Sequence, residues 1–69
     1  MKISARNQFK GTVKTVTEGA VNGIVSIDIG GGNVISATIS MAAIKELGLK
    51  PGVPATAIVK ATNVMVGVD

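Results

Sequence analysis

The chain has 69 residues, of which 46% are hydrophobic and 16% charged, and its formal net charge is +3. It contains neither cysteine nor histidine, which excludes disulfides and any metal site built on thiolate or imidazole ligands. A domain this small hides only part of its apolar surface, so the composition predicts that copies of the chain associate. No apolar stretch reaches the length of a membrane span and the start lacks a signal-peptide core, so we expect a cytoplasmic protein.

The first half of the chain predicts three β-strands. Residues 3–18 form the first strand, because β-branched residues crowd its second half. A turn at Glu18-Gly19 leads to a second strand at 21–29, where apolar and polar residues alternate. The glycines of 30–33 then join a third strand at 34–39 in a hairpin. A phosphate-binding glycine loop would lead into a helix instead, so the hairpin is favoured.

The second half predicts one helix and two further strands. Ser40 is placed as the N-cap of a helix at 41–47, which a glycine ends. Strands follow at 55–61 and 64–68, the latter with alternating valines. Three strands, a helix and two strands are the order of an OB-fold, a five-stranded Greek-key barrel. The sequence therefore predicts a single all-β domain, residues 1–69, with one short helix.

Catalysis is not expected from this composition. Without histidine or cysteine, proton transfer would fall to carboxylates or lysine. The four carboxylate side chains lie on different predicted segments, and none has a visible partner; they are Glu18, Asp28, Glu46 and Asp69. We therefore expect a binding protein and not an enzyme.

Single-stranded nucleic acid is the alternative ligand for a barrel of this kind. OB-folds bind single strands through a basic groove and aromatic side chains on which the bases stack. Seven basic residues would serve the first requirement, but Phe9 is the one aromatic residue. A lone phenylalanine favours a core position over a stacking platform, so this function is kept as the alternative.

Small oxyanions fit the residue pattern better. Ser4 and Arg6 lie two residues apart at the start of the first predicted strand, so both side chains would leave one face. Arginine presents a rigid fork of donors to an oxyanion. Ser40 heads the only helix, whose first N–H groups and dipole favour anions. Lys60 adds a second cation, although a lysine on an edge strand also guards against aggregation.

Several stretches recur, in order and with compatible spacing, in one known family. They are Ser4-Ala5-Arg6-Asn7 with Gly11 downstream, Ala37-Thr38-Ile39-Ser40 running into a helix that ends Leu47-Gly48-Leu49, then Pro51-Gly52, and Val59-Lys60-Ala61-Thr62. Together they resemble the molbindins, the small molybdenum-pterin-binding (Mop) proteins, whose module also occurs in molybdate-responsive regulators and molybdate transport ATPases. The chain looks like a free-standing, single-module member.

The resemblance implies an OB-like barrel that binds molybdate and tungstate without catalysis and serves to store and buffer them inside the cell. It also implies hexamers, built as trimers of dimers, with sites between subunits. Carried over by position, Arg6 and Lys60 would supply positive charge, Ser4 and Ser40 hydroxyl donors, and Ala61 its backbone N–H. The metal would be held as its oxyanion, with no direct coordination by side chains.

The location of a second anion site and the role of Thr62 stay open. The turn Gly19-Ala20-Val21 is a candidate for a second class of site through its backbone N–H groups, and Thr62 stands as either a ligand or a bystander. No organic cofactor is expected, because a pterin would want aromatic stacking or a polar pocket, and only Phe9 could stack. Neither nucleic acid nor a membrane is expected as a partner.

Overall fold

Four antiparallel strands form one sheet in the computed structural model, which describes residues 1–69. The elements are β1 (Asn7–Thr17), β2 (Asn22–Gly30), β3 (Asn33–Ser40), α1 (Met41–Glu46), β4 (Pro54–Val59) and a 3-10 turn (Ala61–Asn63). The strands lie side by side in the order β3-β2-β1-β4, so β3 and β4 are the two edges. The all-β class with one short helix, predicted from the sequence, is confirmed.

β1 pairs with different neighbours along its two halves. Its first half runs beside β4, from Asn7 opposite Val59 to Thr12 opposite Pro54. Its second half runs beside β2 and ends with Thr17 opposite Ile24. Between these halves the register with β2 shifts at Val13 to Thr15, which is a β-bulge. Bulges bend a strand and increase its twist, so this one lets β1 serve both neighbours in a curled sheet.

Five aliphatic side chains form the core on the inner face of the sheet. β1, β2, β4 and α1 each contribute at least one of them. They are Val13, Val25, Ile27, Ile44 and Ala57. β3 adds only half-buried residues, since it is an edge strand. This core is small for the apolar content of the chain, and many large hydrophobic side chains remain exposed.

The helix begins where the sequence predicts. The Ser40 hydroxyl accepts a hydrogen bond from the Ala43 N–H at 3.0 Å, which confirms it as the N-cap. The helix ends at Glu46, one residue early, and Gly48 follows with φ of +65°, a conformation that costs glycine little. At six residues, α1 cannot cross a membrane, and no helix here is long and apolar enough to do so.

The predicted fifth strand at 64–68 is absent. Residues 64–69, the C-terminal segment, have no regular secondary structure. Its apolar side chains point into solvent: Met65, Val66 and Val68 are 93%, 92% and 94% exposed. Alternating valines favour an extended backbone, but a strand also needs a neighbouring strand, and no strand of the same chain pairs with this segment.

Two strand boundaries differ from the prediction by more than one residue. β1 begins at Asn7 and not at residue 3, because its partner β4 ends at the opposite residue, Val59. For the same reason β4 covers Pro54–Val59, and residues 60 and 61, predicted as strand, lead into the 3-10 turn. Register, which spacing along one strand does not reveal, sets both ends.

Gly23 allows α1 to approach β2, and its replacement should destabilise the fold. A Cβ atom there would lie 2.7 Å from the Ile44 side chain and 2.9 Å from both Met41 Sδ and the Thr17 carbonyl oxygen. We expect Gly23→Ala to lower the free energy of unfolding by about 1–3 kcal/mol, as overpacking does. Urea denaturation measures this. Lys14→Ala is the control, because its side chain is exposed on β1; equal stability of the two variants would contradict the packing account.

Candidate anion-binding site

Arg6 and Lys60 lie at the same end of the sheet. Asn7 and Val59 form the last pair between β1 and β4, so Arg6 immediately precedes that pair and Lys60 immediately follows it. Both residues are exposed. Two like charges held at one end of a sheet create a positive potential there, which favours an anion.

Ala61 lies beside Lys60 at the start of the 3-10 turn. The turn closes through the Asn63 N–H, which donates to the Lys60 carbonyl at 2.9 Å, and Lys60 makes no side-chain cap bond. The N–H groups that open a helical turn have no partner within it. In this turn they are the N–H groups of Ala61 and Thr62, so the turn presents two backbone donors beside the Lys60 cation.

The N-terminal arm, residues 4–6, is not part of β1. Ser4 and Arg6 lie in bends before the strand, so the alternation of side chains along a strand does not apply to them. Side-chain amides tie the arm down. Gln8 Nε2 donates to the Ala5 carbonyl at 2.8 Å, and Asn7 Nδ2 donates to the Val59 carbonyl at 3.2 Å. Gln8 therefore ties the arm back to β1, and Asn7, the first residue of β1, bonds to the last residue of β4. Neither bond could be read from the sequence.

Ser40 lies at the opposite end of the strands. It pairs with Asn22 at the start of β2, beyond the pair that Thr17 forms with Ile24 at the end of β1. Arg6 precedes the start of β1, and at ~3.3 Å per residue the strand measures roughly 35 Å along its path. One chain therefore groups Ser4, Arg6, Lys60 and Ala61 at one end and holds Ser40 at the other.

The candidate second site shares the end that Ser40 occupies. The exposed turn Gly19-Ala20-Val21 joins β1 to β2, and the Val21 carbonyl accepts a hydrogen bond from the Met41 N–H at 2.8 Å. The turn thus contacts the first residue of α1, next to Ser40. The acidic residues form no cluster of three or more that would hold a metal ion.

An apolar groove, which sequence reasoning missed, runs between the two edge strands. Its volume is about 480 Å³, and 10 of its 13 lining residues are hydrophobic. They come from β2, β3, β4 and the chain after α1, and include Ile27, Ile35, Ile39, Leu47 and Leu49. No charged residue lines it, so the groove does not suit an anion. It exists because β3 and β4 do not pair, which only the sheet order reveals.

Comparison with known proteins gives whole-chain similarities. Residues 3–66 match the TOBE domain family. A probable molybdenum-pterin-binding protein of Haemophilus influenzae is 65% identical over 69 residues, 100% of each chain. An apo structure of MopII from Clostridium pasteurianum has a TM-score of 0.91 at 46% identity, over 97% of this chain and 100% of its own. The cytoplasmic molybdate-binding protein ModG, solved with molybdate bound, has a TM-score of 0.95 at 48% identity, over 100% of this chain and 49% of its own.

Proposed function

This chain belongs to the TOBE domain family, among its molybdenum-pterin-binding (molbindin) members, and we propose that it binds molybdate, and also tungstate, reversibly and without catalysis. The observation that carries this proposal is the pairing of β1 with β4, which groups Arg6 and Lys60 at one end of the sheet. The ModG structure, similar over the whole of this chain, holds molybdate. The bound species is the oxyanion, with no organic cofactor.

The grouped residues suit a tetrahedral dianion chemically. Molybdate offers only acceptor oxygens, and this end of the sheet offers donors: the Arg6 guanidinium, the Lys60 ammonium, the Ser4 hydroxyl and the Ala61 N–H. Each hydrogen bond to a charged group contributes about 1.5–3 kcal/mol. A handful of them, after the cost of association, suffices for roughly micromolar affinity.

A second copy of the chain supplies Ser40. An anion bound between Arg6 and Lys60 lies far along β1 from the Ser40 hydroxyl of its own chain. The molbindin set is completed only if another copy presents its β3 end, so the sites lie between subunits. The turn Gly19-Ala20-Val21, beside that Ser40, is the second class of site and is also formed where copies meet.

The C-terminal segment gives the association a physical basis. Its apolar side chains are exposed in one chain, while an aliphatic groove stays open between β3 and β4. Seating the segment of one copy in the groove of another buries both surfaces, at about 25 cal/mol per Å² of apolar area. It also supplies an additional strand to an unpaired edge. Dimers built in this way assemble by threes into a hexamer.

Reversible binding between subunits suits storage and buffering of molybdate inside the cell. A ligand that binds only the assembled form stabilises that form by mass action. The net charge of +3 also favours uptake of dianions, because each one offsets two positive charges.

Binding of single-stranded nucleic acid is not favoured. Phe9 is the one aromatic side chain, and it lies on β1 opposite the buried Ala57, with 39% of its surface exposed. It has no second ring beside it to build a stacking platform, which is half of the recognition mechanism.

Removal of Arg6 tests the molybdate site. We expect the protein to bind molybdate with micromolar or tighter affinity in isothermal titration, and Arg6→Ala to weaken it roughly 10- to 100-fold, because a charge-assisted bond is lost. Lys14→Ala removes the same unit of charge from the middle of β1 and should bind as the wild type does. Sulfate and single-stranded DNA are titrated alongside. No heat with molybdate, together with salt-sensitive binding of DNA, would overturn the proposal.

A charge in the C-terminal segment tests the mode of association. Val66→Asp places a carboxylate where the segment enters the aliphatic groove, and we expect sedimentation velocity to show the loss of the hexamer. In the strand that the segment forms on pairing, Met65 alternates with Val64 and Val66, so its side chain faces away from the groove, and Met65→Asp should preserve the assembly. If both variants sediment as the wild type does, the segment does not join the copies.

A further inference from the structure

Two side-chain amides follow Arg6 directly and bind main-chain carbonyls on either side of the candidate site. Asn7 Nδ2 donates to the Val59 carbonyl at 3.2 Å, across 52 positions of sequence. Gln8 Nε2 donates to the Ala5 carbonyl at 2.8 Å, within the N-terminal arm. Asn7 is half-buried and Gln8 is exposed. Neither was assigned a role by the sequence.

The two carbonyls that accept these hydrogen bonds belong to the peptide groups that precede Arg6 and Lys60. Because a peptide group is planar, the Ala5 carbonyl shares its plane with the Arg6 nitrogen, and the Val59 carbonyl shares its plane with the Lys60 nitrogen. Each amide therefore fixes the peptide plane that leads into one of the two cationic residues. That plane, together with the residue's φ angle, sets the direction in which its side chain leaves the backbone.

These bonds act where the sheet provides no support. Arg6 lies before the first residue of β1 and Lys60 after the last residue of β4, so neither belongs to a strand. Two exposed cations would otherwise separate, since like charges repel and long side chains gain entropy when they are free. The Asn7 amide ties the start of β1 to the end of β4, and the Gln8 amide fixes the backbone just before Arg6.

We propose that Asn7 and Gln8 are positioning residues for the anion: they orient the Lys60 and Arg6 peptides so that both cations reach one oxyanion. This inference rests on the proposed molybdate site. Residues that orient the direct ligands of a bound metal centre commonly contribute 10- to 100-fold to its affinity. The same principle applies to an oxyanion, because affinity depends on how little the site must reorganise.

Substitutions that keep size but remove the donor separate positioning from stability. Asn7→Leu and Gln8→Met leave hydrophobic side chains of similar length. We expect Asn7→Leu to weaken molybdate binding by about 10-fold, and Gln8→Met by a smaller factor because its bond is exposed. Asn33→Leu, the same change in the β2–β3 hairpin, is the matched control and should bind as the wild type does. Urea denaturation without molybdate confirms that each variant is folded.

Coupling to Lys60 distinguishes positioning from a general loss of structure. If Asn7 acts through Lys60, Asn7→Leu should weaken binding much less in a Lys60→Met background than in the wild type, because coupled residues are not additive. Additive losses, or wild-type affinity in Asn7→Leu and Gln8→Met, would overturn the positioning role. If Arg6→Ala and Lys60→Met themselves leave affinity unchanged, the proposed site fails, and the positioning role fails with it.

Discussion

The structure depends on one strand that serves two neighbours. β1 lies between β2 and β4, and the two pairings are staggered: β4 runs beside its first half and β2 beside its second. The bulge between Val13 and Thr15 bends β1 where the two pairings meet, and the Ser26 hydroxyl supports it by accepting a hydrogen bond from the Thr15 N–H at 3.1 Å. The pairing of β1 with β4 brings residues 6 and 60, which flank its last pair, to the same end of the sheet.

The same strand arrangement leaves a single chain with unburied apolar surface and with an anion site that lacks Ser40. Because β3 and β4 do not pair, an aliphatic groove stays open, and because the C-terminal segment finds no partner strand, its valines stay exposed. Because β1 is long, Ser40 lies at the far end from Arg6. Our proposal resolves both with one assumption, a second copy of the chain, which fills the groove and brings its own Ser40 to the anion.

Turn and capping residues predicted the local structure correctly, but no local pattern predicts which strands pair or in what register. The glycine-rich hairpin and the Ser40 cap were predicted correctly, since φ preferences and capping act within a few residues. The prediction of a fifth strand was wrong, because alternating valines favour an extended backbone but do not specify a partner strand. The residue pattern pointed to Ser4, Arg6, Ser40 and Lys60 as anion ligands, and the resemblance to the molbindins assigned their roles and added Ala61. That Arg6 and Lys60 share one end, and that Asn7 bonds to Val59, required the pairing of β1 with β4.

The central claim, that one anion is held by two copies, is tested by mixing two defective variants. Arg6→Ala lacks a cation, and Ser40→Gly lacks the hydroxyl at a cost to the helix of only a few tenths of a kcal/mol. The two are unfolded, mixed in equal amounts, refolded together and titrated with molybdate. If the site is shared between copies, random assembly restores wild-type affinity at about one quarter of the sites. If Arg6 and Ser40 of one chain bind the same anion, every site stays defective and no tight binding returns, which would contradict the account.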